Sequence, residues 1–428
     1  MPIPRFEQHR EHIDVILAAV WRSCDPRPRV AEAVRKSPPR ATRPGVIAVG
    51  KAAPAMLRGF RDAFTGPHEA IVVVPEGVPA PPGAIVSDHP YPTPRCVGAA
   101  QRVAAFVEKV SSGVLPQDGF VVLLSGGASA LLAWPYDEIS IKDYAIATEE
   151  MLGLKIGQLN AIRKHCERLK GGKLAALMSP LPCDNYLLSD VIGDDPSTIG
   201  SGPTVPDPTT YKEACEPFDW ALEFTHAASV LYPLLKMGER WHPETPKPGD
   251  PVFEHVRTTI VGSNSMAIEA AAGAARQLGF QVMTCPEVEG DAEWAGRELA
   301  RDIKGATPPA AVIYGGETRV LNPGRKGKGG RNQEAALAAA IEISGGRGLA
   351  IAAFATDGVD GPTDAAGAVV TGGTRGCAEE HGLDALAALN RHDSYTFFGA
   401  LERAGFPHLI RTGPTGTNAN DILIALAY

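Results

Sequence analysis

The chain has 428 residues, 44% hydrophobic and 21% charged, with a formal net charge of -8. At roughly 150 residues per domain this is material for two or three domains with large cores. The acidic balance excludes broad nucleic-acid binding, which needs a basic face, and no run approaches the ~18 apolar residues of a membrane span.

The opening stretch MPIPRFEQHREHIDVILAAVW lacks the long apolar segment of a signal peptide. Seven cysteines are scattered without CxxC or a Cys/His zinc spacing. Reduced core thiols in a cytoplasmic protein are therefore expected. Short Val/Ile/Leu runs then alternate with Ala-rich helical segments. The runs do not alternate strictly, as expected when helices cover both faces of a mostly parallel sheet.

VIAVG (46–50) leads into a helix through Lys51. A cation at a helix start is at the unfavourable end, and it makes sense where an anion binds. EAIVVV (69–74) follows, then FVVLL (120–124), which runs into SGGASALL. There Ser125, Gly126, Gly127 and Ser129 form either a cradle for an oxyanion or a plain tight turn. The segment is not GxSxG, so no hydrolase elbow is supported.

YLLSDV (186–191) opens the longest unusual loop, LLSDVIGDDPSTIGSGPTVPDPTTY. Asp190, Asp194 and Asp195 lie close together in it. Ser189, Ser197, Ser201 and Thr204 add hydroxyls, and Gly200 and Gly202 leave backbone exposed. Such oxygen ligands suit Mg²⁺, and turn capping is the competing role. MGERWHPETPKPGDPVF (237–253), with four prolines, breaks the rhythm and reads as a linker.

A second series begins with TTIVG (258–262), followed by the helical SNSMAIEAAAGAARQLG, then FQVMT and AAVIYGG. Next comes GRKGKGGRNQEAALAAAIEI (324–343). Arg325, Lys326, Lys328 and Arg331 crowd a Gly-rich helix start where acids are normally preferred, so phosphate contact is expected. Neither Walker A nor GxGxxG is present. Arg331, Asn332 and Glu334 fall in the first turn, and Arg331 suits a transferring phosphoryl group. FATDGVDGPTDAAGAVV carries Asp357, Asp360 and Asp364, for a metal, a hydroxylated substrate or Asx turns. The closing RTGPTGTNANDILIALAY crowds Thr415, Thr417, Asn418 and Asn420, for ligand contact or a polar hairpin loop. The expected architecture is α/β, with domains at 1–237 (Rossmann-like) and 254–428. Each is a three-layer α/β/α stack, with the active site in the cleft between them.

VGKAAPAM, LSGGASALL, LNAIRKHCERLKGGKLA, LLSDVIGDDPSTIGSGPTVPD, GSNSMAIEAA, GGETRV, GKGGRNQE, ATDGVDGPTDAAGA and TGPTGTNANDI occur in this order and cover nearly the whole chain. Together they resemble the two-domain, ATP-dependent glycerate 2-kinase family, whose C-terminal domain is of the MOFRL type. The resemblance implies transfer of phosphate from ATP, with Mg²⁺, to the 2-hydroxyl of D-glycerate. It implies Lys51 and Arg331 as catalytic cations, and it brings Asn264 of GSNSMAIEAA into the binding set. Asp190 and Asp195 are the expected metal carboxylates, Asp190 doubling as a catalytic group. Proteins similar to this one are sometimes labelled hydroxypyruvate reductase. An NAD(P)-dependent reductase would want a dinucleotide loop, and GxGxxG is absent. A kinase of a related hydroxy acid and a non-catalytic binding module are the other readings. No partner beyond glycerate and ATP is implied, and the oligomeric state is open.

Overall fold

The structure is a computed structural model describing residues 6–220, 225–321 and 327–428. The apolar runs become strands β1 (Pro44–Val49), β2 (Glu69–Pro75), β3 (Ile85–Ser87), β4 (Gly119–Leu124), β5 (Cys183–Leu188) and β6 (Val256–Gly262). They form one sheet in the order β3-β2-β1-β4-β5-β6. The pairs β1–β2, β1–β4, β2–β3 and β4–β5 are parallel. This is the strand order of a doubly wound sheet. The order reverses between β1 and β4.

Both faces of this sheet are covered. Val46, Ala48, Val121 and Leu123 pack against Met56 and Phe60 of helix Ala53–Ala63, with Val30 and Val34 of helix Pro26–Lys36. Residues of opposite parity meet the other layer. A Cβ on Gly45 would lie 3.2 Å from Phe106 and Val110 of helix Pro94–Ser111. A further cluster of Tyr144, Met151, Ile162, Leu231 and Leu235 joins four helices beyond the sheet.

The second sheet holds β7 (Gln281–Asp291), β8 (Ala310–Arg319), β9 (Leu349–Ala355), β10 (Gly367–Thr371), β11 (Leu409–Ile410) and β12 (Asp421–Ala427). Its order is β11-β10-β9-β12-β8-β7. Here the expectation of mostly parallel strands gives way to a mixed sheet. Only the β7–β8 pair is parallel among the described pairs. The last strand, β12, enters between β8 and β9 antiparallel to both, which leaves β8 and β9 pointing the same way. Period-2 alternation serves two cores. Val312, Tyr314, Ile351, Ala353, Leu423 and Ala425 face helices Ala292–Gly305 and Arg331–Glu342. Ile313, Ala352, Phe354, Ile422 and Ile424 face helices Phe6–Cys24 and Asn264–Gln277.

The compact units differ from the expected 1–237 and 254–428. One comprises Pro26–Ser189 and Asp194–Val261; the other comprises the chain up to Asp25, Asp190–Gly193 and Gly262–Tyr428. We call them the parallel and mixed units. The N-terminal helix joins the mixed unit because Ile13, Ile16, Leu17 and Val20 form an apolar stripe that closes the core of helix Asn264–Gln277. The Pro-rich segment is not a free linker. Glu244, Thr245 and Lys247 are built into a polar network of the parallel unit, with Thr245 Oγ1 donating to Asp207 at 2.9 Å.

Leu17 is 1% exposed. Leu17→Ala should therefore cost about 2–5 kcal/mol in urea unfolding. Hydrogen-exchange protection should fall in helix Asn264–Gln277. Loss confined to residues 26–189 would contradict the assignment of this helix.

Candidate active site

The two loops that leave the carboxyl ends of β1 and β4 are laced together at the point where the strand order reverses. Lys51 N–H donates to the Gly126 carbonyl at 3.0 Å, and Ser125 N–H donates to the Val49 carbonyl at 3.0 Å. Ser125 Oγ accepts from Ala52 N–H at 3.0 Å, which satisfies one donor at the start of helix Ala53–Ala63. Gly50 makes this approach possible. Its φ is +121°, and a Cβ there would lie 2.2 Å from Ser125 Oγ. Ser125 is buried, so its hydroxyl shapes the loop rather than meeting a ligand. Lys51 is exposed, and its ammonium makes no hydrogen bond or ion pair with the described residues.

Beside this loop is a cavity of about 230 Å³ lined by His89, Tyr91, Ser129, Thr148, Leu152 and Arg163, among others. His89 follows β3, and its ring lies against Gly127, where a Cβ would be 3.1 Å from the ring. Burial, reinforced by the charge of Lys51, pushes the His89 pKa down to about 4. The imidazole is therefore neutral near pH 7. Ser129 Oγ lies 2.9 Å from Ser201 Oγ, which donates to Asn160 Oδ1 at 2.9 Å. Ser201 thus uses its proton on Asn160, and Ser129 donates to Ser201.

The support for Ser129 comes from LNAIRKHCERLKGGKLA, from which no site residue was named. Lys170, fully buried, donates to the Ser129 carbonyl at 2.7 Å and to Glu167 at 2.5 Å. Glu167 also accepts from Trp134 N–H at 3.0 Å and from the Tyr144 hydroxyl. Burial lowers the Lys170 pKa, and Glu167 opposes that shift. Lys164 pairs with buried Asp207 at 3.0 Å, and Gly171 and Gly172 donate to the carbonyls of Ser201 and Gly202. Arg163 alone in this stretch points its charge at the cavity without an ion pair among the described residues. The sequence signal for this support is a run of basic residues leading into a glycine pair, and its Lys164 and His165 are buried.

The long acidic loop divides between the units, with Asp190 in the mixed unit and Asp195 in the parallel one. Asp195 works as a turn cap. It accepts from Ser197 N–H at 2.9 Å, Ser197 Oγ at 2.7 Å and Thr198 Oγ1 at 3.1 Å. Burial raises its pKa, and these donors outweigh that and leave it lowered. Asp190 is half-buried, with its carbonyl accepting from Asn420 Nδ2 at 2.9 Å. Ser189 and Thr204 are buried, and Gly202 takes the left-handed conformation that ends the turn.

In the mixed unit the anion expected before Arg331–Glu342 is supplied by the protein itself. Asp360 accepts from Asn332 N–H at 3.1 Å and from Gln333 N–H at 2.8 Å. It thereby caps the helix start with a carboxylate from a distant loop. Gly330 is required, because a Cβ would lie 2.3 Å from Asp360 Cγ. Burial pushes the Asp360 pKa up to about 6 against these donors. Arg331 is not a free cation. It forks onto buried Asp421 at 2.6 and 3.1 Å and reaches Glu317 at 3.4 Å. Burial works against its charge, but Asp421 and Glu317 prevail and raise its pKa above the ordinary guanidinium value. Asn332 Nδ2 adds a bond to Asp421 at 2.8 Å.

Several other residues expected at the site are engaged within the protein. Glu334 is buried against His392 at 2.8 Å. Thr417 Oγ1 donates to the Cys24 carbonyl at 2.6 Å, and Asn264 Nδ2 donates to the carbonyls of Ala419 and Asp421 at 2.7 and 3.0 Å. Asp357 caps Val359 N–H at 3.0 Å, and Asp364 meets Tyr395 and Arg411 at the surface. Lys328 is exposed, with its ammonium 4.4 Å from the Tyr395 ring centroid. Arg325 and Lys326 lie outside the described residues. No group of three or more His, Cys, Asp or Glu converges as a metal site among the described residues.

Known proteins resemble this chain in sequence and in fold. The domain of unknown function DUF4147 matches residues 12–229, and the MOFRL family matches residues 310–421. A glycerate 2-kinase from Pyrococcus horikoshii is 36% identical over 89% of this chain and 86% of its own length. The crystal structure of glycerate kinase from Thermotoga maritima, 31% identical, superposes with a TM-score of 0.84 over 99% of this chain and 100% of that one. A relative from Agrobacterium vitis, provisionally named a hydroxypyruvate reductase, is 36% identical over 96% of this chain and 93% of its own. The matches define a class of two-domain α/β proteins that join a DUF4147 domain to a MOFRL domain. Within that class, this chain belongs to the glycerate 2-kinase family.

Two expectations follow from the geometry. Arg331→Ala leaves Asp421 buried without its counter-charge, so it should cost about 3–5 kcal/mol in denaturant unfolding. Arg331→Lys should cost less, and equal stability of Arg331→Ala and wild type would refute the pairing. For His89, the folded value near 4 lies below the ordinary 6.5. Between those values the unfolded chain binds more protons, so stability falls on acidification. His89→Gln should flatten that part of the stability–pH curve.

Proposed function

We propose that this protein transfers the γ-phosphoryl group of ATP to the 2-hydroxyl of D-glycerate, giving 2-phosphoglycerate and ADP. Relatives named glycerate 2-kinase and glycerate kinase support the reaction class. The observation that carries the reading is Lys51. It is an ammonium without a partner among the described residues, at the carboxyl edge of a doubly wound sheet, where the strand order reverses, held beside the glycine loop of β4. Ligands of open α/β sheets gather at that position.

In the reaction the 2-hydroxyl oxygen bonds to the γ-phosphorus as the bond to the β–γ bridging oxygen breaks. ADP departs, and the hydroxyl proton passes to a basic group or to water. Such transfer asks the protein mainly for positioning and charge neutralisation. Lys51 faces the transferring phosphoryl group, and Gly126 and Gly127 let backbone approach it closely. Ser129 is fixed by Ser201 and Lys170. Arg331 and Lys328 are the cations for nucleotide phosphates in this reading. A polyphosphate oxygen would replace Glu317, the weaker and more exposed partner of Arg331, while Asp421 keeps the guanidinium in place.

Mg²⁺ takes oxygen ligands and usually binds through one or two carboxylates plus phosphates, so no dedicated cage is needed. When bound, it neutralises polyphosphate charge. Both oxygens of Asp195 already accept bonds from its own loop. Asp190 and Asp195 are the carboxylates that this reading offers the ion. None of the seven cysteines is in a disulfide, which supports a cytoplasmic setting.

The purified protein with ATP, Mg²⁺ and D-glycerate should form ADP. Enolase alone should convert the product, without a phosphoglycerate mutase, because the phosphate sits on O2. With NADH and hydroxypyruvate no oxidation is expected, and turnover there would favour the reductase reading instead. Lys51→Ala should keep wild-type stability and lose roughly 100-fold or more in kcat, as when one preorganised donor is removed. Near wild-type turnover would remove Lys51 from the mechanism.

A further inference from the structure

The cavity beside Lys51 contains more than the phosphoryl chemistry requires. Resting on the kinase reading above, we propose that Arg163 and Thr148 form the subsite for the carboxylate end of the acceptor. They thereby make the enzyme select an acid over a neutral molecule of the same shape.

Arg163 brings a charge that has no ion pair among the described residues. It sits half-buried on helix Ile156–Cys166 and lines the cavity. The acid next in the chain, Glu167, is held by Lys170 at 2.5 Å. A half-buried guanidinium left over in this way matches a ligand carboxylate, which it can grip with two parallel bonds.

Thr148 points to the same place independently. It lies on helix Ile141–Glu150, is 3% exposed, and lines the cavity, yet its hydroxyl has no hydrogen-bond partner among the described residues. Buried hydroxyls are nearly always bonded, and this one, closed to solvent on a residue that lines the cavity, gains a ligand partner by a rotation of its side chain. The apolar side of Leu152 leaves little else for a polar ligand to bind on that wall.

Size and polarity fix the orientation. A cavity of about 230 Å³ is ample for a three-carbon acid. His89 lies against Gly127, next to the glycine whose carbonyl Lys51 N–H binds, so His89 marks the phosphoryl side of the cavity. A three-carbon acid with its carboxylate on Arg163 and Thr148 then turns its 2-hydroxyl toward His89 and Ser129, beside the loop that Lys51 joins. Neutral His89 offers this hydroxyl a partner without a second positive charge.

Steady-state kinetics with D-glycerate and its uncharged amide, D-glyceramide, test the subsite. Arg163→Ala should raise KM for D-glycerate about 100-fold, leave KM for ATP within about twofold, and barely alter the poor use of D-glyceramide. Arg163→Lys should fall between. Thr148→Val, which keeps the shape, should raise KM for D-glycerate about tenfold without lowering the melting temperature. Equal losses with acid and amide, or a shift in the KM for ATP instead, would overturn the assignment. Calorimetric titration with D-glycerate separates this idea from the kinase reading. If the wild type binds the acid but forms no ADP, the kinase reading fails. The subsite then stands only if Arg163→Ala weakens that binding about 100-fold.

Discussion

The reversal of strand order between β1 and β4 is the constraint on which the parallel unit depends. The chain leaves β1 toward β2 on one side and, after β3, returns to lay β4 on the other. Two loops then leave adjacent carboxyl ends in opposite directions, and a crevice opens between them. Backbone amides and carbonyls at its lip must be satisfied, and they satisfy one another: Lys51 with Gly126, and Ser125 with Val49 and Ala52. Gly50 has no side chain because any Cβ would collide with Ser125. What remains uncommitted at that lip is the Lys51 side chain.

The same rule of satisfaction sorts the charges elsewhere. Buried charges are costly unless they are paired and hydrogen-bonded. Lys164 with Asp207, Lys170 with Glu167 and Arg331 with Asp421 meet that requirement. Their value lies in position as much as in energy. Lys170 holds the Ser129 carbonyl, and Asp421 and Asp360 together hold the first turn of Arg331–Glu342. Against this background of pairing, Lys51 and Arg163 stand out as cations available to a ligand in the parallel unit.

Some of this was legible in the residues. The α/β class, the glycine loops at strand ends and the exposed Lys51 follow from local pattern, because strand periodicity, turn chemistry and helix-end charge are short-range properties. The family was legible because many motifs occur in order. Less legible was the role of each polar residue. Ser125, Thr417, Asn264 and Glu334 looked like ligand contacts, but each is engaged by a group that is remote in sequence or supplied by packing. Arg163 was overlooked for the opposite reason. It sits in a basic run that reads as a solvated helix face until burial of its neighbours sets it apart.

The basic, glycine-rich approach to Arg331 shows where the line falls. The sequence by itself determined that cations meet a helix start, that an anion must be close, and that glycines clear the space for it, since all three depend on neighbouring residues. It could not name the anion. Tertiary structure decided that Asp360 caps the helix and that Asp421 neutralises Arg331, because those carboxylates arrive from 27 to 90 residues away. It likewise decided the company of the N-terminal helix and the antiparallel entry of β12. Such choices depend on which apolar faces and buried charges find partners across the chain, and no local window contains both partners.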